Sequence, residues 1–225
     1  AKYIAQSKHL LAVELRHDVT VTFGSLQHDF LSTFFEAIGQ SNSVKALNLI
    51  NLDFGIAGES FENLLTRTKI LRHLRVDLKG GGPLEDAATA VIASGFSKNA
   101  TLREIELVDW QETSRISVLI ALRDHAVLET LYVEGFSSLV AIDALLRGKN
   151  SQLKELIIQR FNGNTSGEQL VGFESFMQEM GLNTTILKMA ITGVHLDRDS
   201  IQQLKAMLCR NVVLQDLDLS EDNLG

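Results

Sequence analysis

The chain has 225 residues, 45% of them hydrophobic, and carries 21 basic against 28 acidic side chains, a net charge of −7. Its Lys and Arg residues form no cluster, which excludes a sequence-independent nucleic-acid binder, and no apolar run reaches the roughly 18 residues a membrane helix needs. A single cysteine, Cys209, excludes an internal disulfide and points to a reducing, intracellular and cytoplasmic setting.

The first element, Tyr3–Gln6, reads as the tail of a helix from a preceding repeat. Leu10, Val13 and Leu15 follow with the pattern L-x-x-L-x-L, other aliphatics being allowed at the L positions, and predict a short strand. His28–Gln40 is a helix by periodicity, with Phe30, Leu31, Phe34, Phe35 and Ile38 on one face. The strand pattern returns at Val44, Leu47, Leu49 and at Leu71, Leu74, Val76. Gly80–Gly82 and Pro83 form a loop; without a following Lys-Ser/Thr the glycine run is no phosphate cradle. Leu102, Ile105, Leu107 and then Leu128, Leu131, Val133 give two more strands. Ser137–Asn150 is a helix with Leu139, Ile142, Leu145 and Leu146 inward and Ser137 as its N-cap. Leu153, Leu156, Ile158 and Ile186, Met189, Ile191 are the next strands. Asp197–Asn211 is a helix capped by Asp197, with Ile201, Leu204, Met207 and Leu208 on one side. Leu214, Leu217 and Leu219 open a last repeat whose helix is not in the sequence, so the chain is expected to be a piece of a longer protein.

The first positions of these triplets, residues 10, 44, 71, 102, 128, 153, 186 and 214, are about 29 residues apart on average, and no linker interrupts them. Asn99, Asn150, Asn183 and Asn211 each lie three residues before a triplet, and Asn42 lies two before; asparagine tolerates the left-handed backbone that ends helices, so each is expected to stop one. A single strand-helix unit cannot bury its apolar face, whereas stacked units can. The expected fold is therefore α/β, one solenoid over residues 1–225 of about seven irregular repeats.

At this point the chain resembles the ribonuclease-inhibitor-like class of leucine-rich repeats, most clearly over Leu214-Gln215-Asp216-Leu217-Asp218-Leu219 through Asn223-Leu224-Gly225. The resemblance implies a horseshoe with parallel β-strands on the concave face and helices on the convex face, serving as a protein-interaction scaffold. The class usually places Asn or Cys three residues after the last strand leucine. Here those positions hold Asp18, Leu52, Lys79, Trp110, Phe136, Phe161, Val194 and Asp222, so no ladder of side-chain amides is expected there.

No catalytic motif is present, neither a nucleophile elbow nor a zinc-protease helix, and no enzyme is expected. The six histidines are scattered, none paired with another His or Cys at helical ligand spacing, so neither a metal nor another cofactor is expected. Cys209 has no base near it in sequence and reads as an inert thiol. Asn99, Asn164 and Asn183 begin glycosylation-type triplets, but the first and third are also the helix-stop residues, and the structural role is preferred.

The remaining surface is the outward face of the strands. One column across the sheet should run Glu14, Asn48, Arg75, Glu106, Tyr132, Ile157, Ala190, Asp218, and the next Arg16, Ile50, Asp77, Val108, Glu134, Gln159, Thr192, Ser220. The candidate partner-binding residues are Arg75, Glu104, Glu106, Val108, Asp109, Tyr132, Glu134, Ile157, Gln159 and Arg160, an aromatic and aliphatic centre with a charged rim suited to a protein with a basic surface. The alternatives are a small-GTPase activator, for which the resemblance would use loop-rim residues such as Arg160, Asn162 and Asn164, and the sensor region of an immune-type receptor.

Overall fold

A computed structural model describes residues 2–16, 24–52, 54–78, 84–136, 138–148, 152–159, 171–220 and 223–224. Strand and helix alternate throughout. The main sheet holds β1 (Ala12–Arg16), β2 (Ala46–Ile50), β3 (His73–Asp77), β4 (Glu104–Val108), β5 (Thr130–Glu134), β6 (Glu155–Gln159), β7 (Lys188–Thr192) and β9 (Asp216–Asp218). All eight are parallel and neighbours in sequence are neighbours in space. The short β8 (His195–Leu196) pairs with β10 (Asn223–Leu224) beside it. The helices are α1 (Lys2–Gln6), α2 (Gly24–Gln40), α3 (Phe54–Arg67), α4 (Asp86–Lys98), α5 (Glu112–Leu122), α6 (Val140–Leu146), α7 (Phe173–Leu182) and α8 (Arg198–Arg210), each packed on the next along the stack. This is an α/β repeat solenoid, as the spacing of the aliphatic triplets predicts.

The register has no offset. Leu47, Leu74, Ile105, Leu131, Leu156, Met189 and Leu217 occupy one row, and Leu49, Val76, Leu107, Val133, Ile158 and Ile191 another. Nearly all are fully buried under the helices, while the residues between them remain partly exposed. Alternation of this kind follows from the pleat, which sends successive side chains to opposite faces. Phenylalanines tie the first helices together: Phe35, Phe54 and Phe96 surround Phe61 with ring centroids 5.4, 5.0 and 6.2 Å away, at tilted or edge-on angles. Each such pair contributes about 0.5–1.5 kcal/mol beyond the area it buries.

Asn99, Asn183 and Asn211 are real joints, but they do not use the left-handed backbone. Asn99 and Asn183 are extended, at φ −71° and −68°. The Oδ1 atom of Asn99 accepts from the backbone N–H groups of Thr101 and Leu102, which fastens the entry to β4. Asn183 and Asn211 repeat the arrangement before β7 and β9. Hydroxyls replace the amide earlier in the chain: Ser7, Ser41 and Thr68 accept from the N–H groups that follow them. In the second repeat it is therefore the buried Ser41 that holds the joint, and Asn42 is exposed.

Among the described residues, four of the five with positive φ sit at the opposite end of the strands, the fifth being Gly172 before α7. Asn51 (φ 58°), Asp109 (φ 55°), Gly135 (φ 77°) and Gly193 (φ 72°) each come immediately after a strand. Only glycine reaches this conformation freely, and asparagine and aspartate reach it more easily than other residues, which explains the choice of types. The next residues, Leu52, Trp110, Phe136 and Val194, are buried, and the Trp110 indole donates to the Val76 carbonyl of the preceding repeat at 3.1 Å. An apolar row with one indole hydrogen bond thus fills the place where an amide ladder was not expected.

The Asp197 cap of α8 is as read from sequence, its carboxylate accepting from the Ser200 N–H at 2.8 Å. On the same helix Leu204 and Met207 are buried, but Ile201 and Leu208 are exposed, so the inward stripe is narrower than the periodicity implied. Ser137, Asn150 and the Gly80–Gly82 loop lie outside the described residues.

Candidate functional site

The helix-free face of the sheet carries three rows of side chains. In the central row Glu14, Asn48, Arg75, Glu106, Tyr132, Ile157, Ala190 and Asp218 stand side by side, the order the sequence column predicts. The row nearer the strand entries runs Ala46, His73, Glu104, Thr130, Glu155, Lys188, Asp216. The third runs Ile50, Asp77, Val108, Glu134, Gln159, Thr192.

Val108 departs from the expected patch. It is only 3% exposed and offers no side chain to a partner. It is a short residue between Asp77 and Glu134 in register, and the left-handed turn at Asp109 follows directly. Asp77 and Thr192 in the same row are also buried, so the exit row is more enclosed than strict alternation suggests. Asp109 belongs to that turn and Arg160 lies outside the described residues, as do Asn162 and Asn164. Arg75, Glu104, Glu106, Tyr132, Glu134, Ile157 and Gln159 share the face as expected.

Polar contacts lock the centre of this face. The Tyr132 hydroxyl donates to Glu134 Oε2 at 2.8 Å and lies 2.6 Å from the Gln159 carboxamide of the next strand. Burial, the hydrogen bond to Glu134 and the negative charge of that group push the phenol well above its usual range, so it stays a neutral donor. Arg75 reaches Glu106 on β4 with Nη1 at 2.8 Å and Asp77 on its own strand with Nη2 at 3.2 Å. Burial works against the guanidinium charge, but the hydrogen bonds to Asp77 and Glu106 outweigh it and hold Arg75 above its ordinary value.

Beside this centre Ala190 is the small member of the central row. Between the larger Ile157 and Asp218 it leaves a shallow depression of about 350 Å³, bordered by Gln159, Lys188 and Asp216. The sequence columns contain Ala190 and Asp218 but do not show that a hollow forms there. Charge also changes across the face. Glu104, Glu106, Glu134 and Glu155 make the middle acidic, whereas Lys45, Arg72, Arg103 and Lys154 line the strand entries together with one acid, Glu129, which pairs with Arg103; each offers its carbonyl to two N–H groups of the following repeat.

A group the sequence spacing did not reveal lies at the edge of the acidic middle. His73 on β3 is directly opposite Glu104 on β4, with Glu106 two residues further on. Nδ1 of His73 is 3.1 Å from Glu104 Oε2, and Nε2 is 3.4 Å from Glu106 Oε1. The separation of 31 residues between His73 and Glu104 matches no ligand motif, and only the cross-strand register joins them. Cys209 is exposed.

No protein-family model matches the chain, and no curated protein matches it. Among the described residues no helix is long and apolar enough to cross a membrane.

Proposed function

We propose that this chain is a leucine-rich-repeat module of the ribonuclease-inhibitor-like kind that binds a protein partner through the helix-free face of its sheet. The L-x-x-L-x-L triplets fall in phase with every strand of the main sheet and supply its buried rows, which supports the family reading. The single observation that carries the binding reading is the adjacency of Tyr132 and Ile157 in register, inside a surround of carboxylates. A rigid aromatic next to an aliphatic, ringed by polar groups, is the composition that concentrates binding energy at interfaces. The acidic middle favours a partner with a basic segment, and the basic border at the strand entries would orient it. The exposed lone thiol accords with a reducing intracellular compartment.

The test replaces Tyr132 and Ile157 together with alanine. Partners captured by the immobilised wild-type chain from cell extract would be purified and their affinities for both forms measured. The double variant should weaken the authentic partner by about tenfold or more, since truncating a central anchor typically removes more than 1 kcal/mol. Equal affinity of the two forms for every captured partner would exclude this face.

A further inference from the structure

We propose that His73, Glu104 and Glu106 form a binding site for a divalent transition-metal ion of the zinc class, set on two adjacent strands of the helix-free face. The parallel register fixes the three Cα positions, and all three side chains lie on one face of the sheet. One imidazole nitrogen and one oxygen from each carboxylate lie within 4.8 Å of one another. Ligand atoms held at about 2.0–2.2 Å from a zinc ion are about 3–3.5 Å apart; since Glu104 faces Nδ1 and Glu106 faces Nε2, one carboxylate swings round to share the ring nitrogen the ion takes. Such rotation is open to them, because His73 and Glu106 are only partly covered and Glu104 is exposed.

The surroundings support ligation. Arg75 holds Glu106 Oε2 at 2.8 Å, which leaves Oε1 directed toward the imidazole. A second-layer hydrogen bond that orients a ligating carboxylate is a usual part of metal sites. Arg75 divides its single charge between Glu106 and Asp77, so the carboxylates of Glu104, Glu106 and Asp77 together still outweigh it. The remaining coordination positions open onto solvent across the helix-free face. The donor set selects the metal: an imidazole with two carboxylates suits Zn²⁺ and its first-row neighbours, whereas Mg²⁺ favours oxygen-only surroundings. The site needs no protein partner and does not depend on the partner reading above.

The experiment is calorimetric titration of the intact chain with ZnCl₂ in a non-chelating buffer at neutral pH, with MgCl₂ as the comparison. One Zn²⁺ per chain is expected, without a matching Mg²⁺ signal. His73→Ala and Glu104→Gln should each weaken zinc by about tenfold or more, while Cys209→Ser and His195→Ala should leave it unchanged. Circular dichroism of each variant checks that it is folded, and the two ligand substitutions at separate strands guard against a single failure to fold. Cobalt substitution gives an independent readout, a visible absorption band that the His73→Ala chain should lack. Absence of zinc binding, binding that survives both ligand variants, or binding abolished by Cys209→Ser would each overturn the proposal.

Discussion

The side-chain amide of Asn99 donates to the carbonyl of Leu65, 34 residues earlier in the chain, at 2.6 Å. With its oxygen accepting from Thr101 and Leu102, this one buried side chain joins the end of α3 to the entry of β4. Asn211 does the same to Met180 of the previous repeat, also at 2.6 Å. Replacing Asn99 with alanine strands a buried carbonyl and two N–H groups, and the expected loss is about 2–3 kcal/mol. Urea or thermal unfolding of the Asn99→Ala chain measures it; a loss below about half a kcal/mol would mean the joint contributes nothing beyond an ordinary surface contact.

His125 occupies the same place in the following repeat, yet neither ring nitrogen has a hydrogen-bond partner among the described residues. It is buried, and burial lowers its pKa from 6.5. The unfolded chain therefore takes up a proton near pH 6.5 that the folded chain refuses until lower pH. Stability attached to this residue is complete above that value and is lost progressively as pH falls toward the depressed folded value. His125→Asn can supply the missing amide fork, so it should stabilise the fold by about 1 kcal/mol and flatten the stability profile below pH 6.5. Parallel denaturation curves across that range give the comparison, and an unchanged slope would assign the acid sensitivity elsewhere.

Gly135 adopts φ +77°, and a Cβ added there would lie 2.7 Å from Asp109 Oδ1. Gly135→Ala should therefore cost about 1–2 kcal/mol, most of it backbone strain with a smaller part from displacing the aspartate. Asn at this position, which tolerates the left-handed region better, should recover part of the loss. Thermal midpoints of the two variants decide between them.

The acidic middle of the face gives a further expectation for binding. Association with a basic partner should slow as salt is raised, because attraction between exposed charges is screened over about 10 Å at 0.1 M. Glu134→Gln combined with Glu155→Gln should reduce the association rate and its salt dependence while leaving the dissociation rate nearly constant. Stopped-flow or surface kinetics at two ionic strengths would show it; an association rate indifferent to salt would argue for an apolar or acidic partner.

The sequence shows the sheet clearly because the aliphatic triplets repeat along the whole chain and each falls on a strand. Tyr132 and Ile157 could be placed side by side before any coordinates, since a register without offset turns a sequence column into a spatial row. Other features were hidden for physical reasons. The joint residue changes chemistry along the stack, from Ser41 and Thr68 to Asn99 and His125, so a search for asparagine finds only part of it. Val108 is buried on the face that strand alternation assigns to the outside, so alternation alone does not express its position. His73 meets Glu104 and Glu106 only through pairing between repeats, and linear spacing carries no trace of that. The left-handed exit turns were legible in principle from Asn51, Asp109, Gly135 and Gly193, but each is a common residue whose meaning depends on where the strand stops.

The lack of stagger between strands has a consequence for how such a surface can change. Repeat lengths differ by several residues, yet strand after strand presents its outward side chains on the same grid. The differences in length fall between the strands rather than within them. An insertion between strands can therefore leave every letter of the displayed text in place, and a substitution on the front edits one letter without respelling its neighbours.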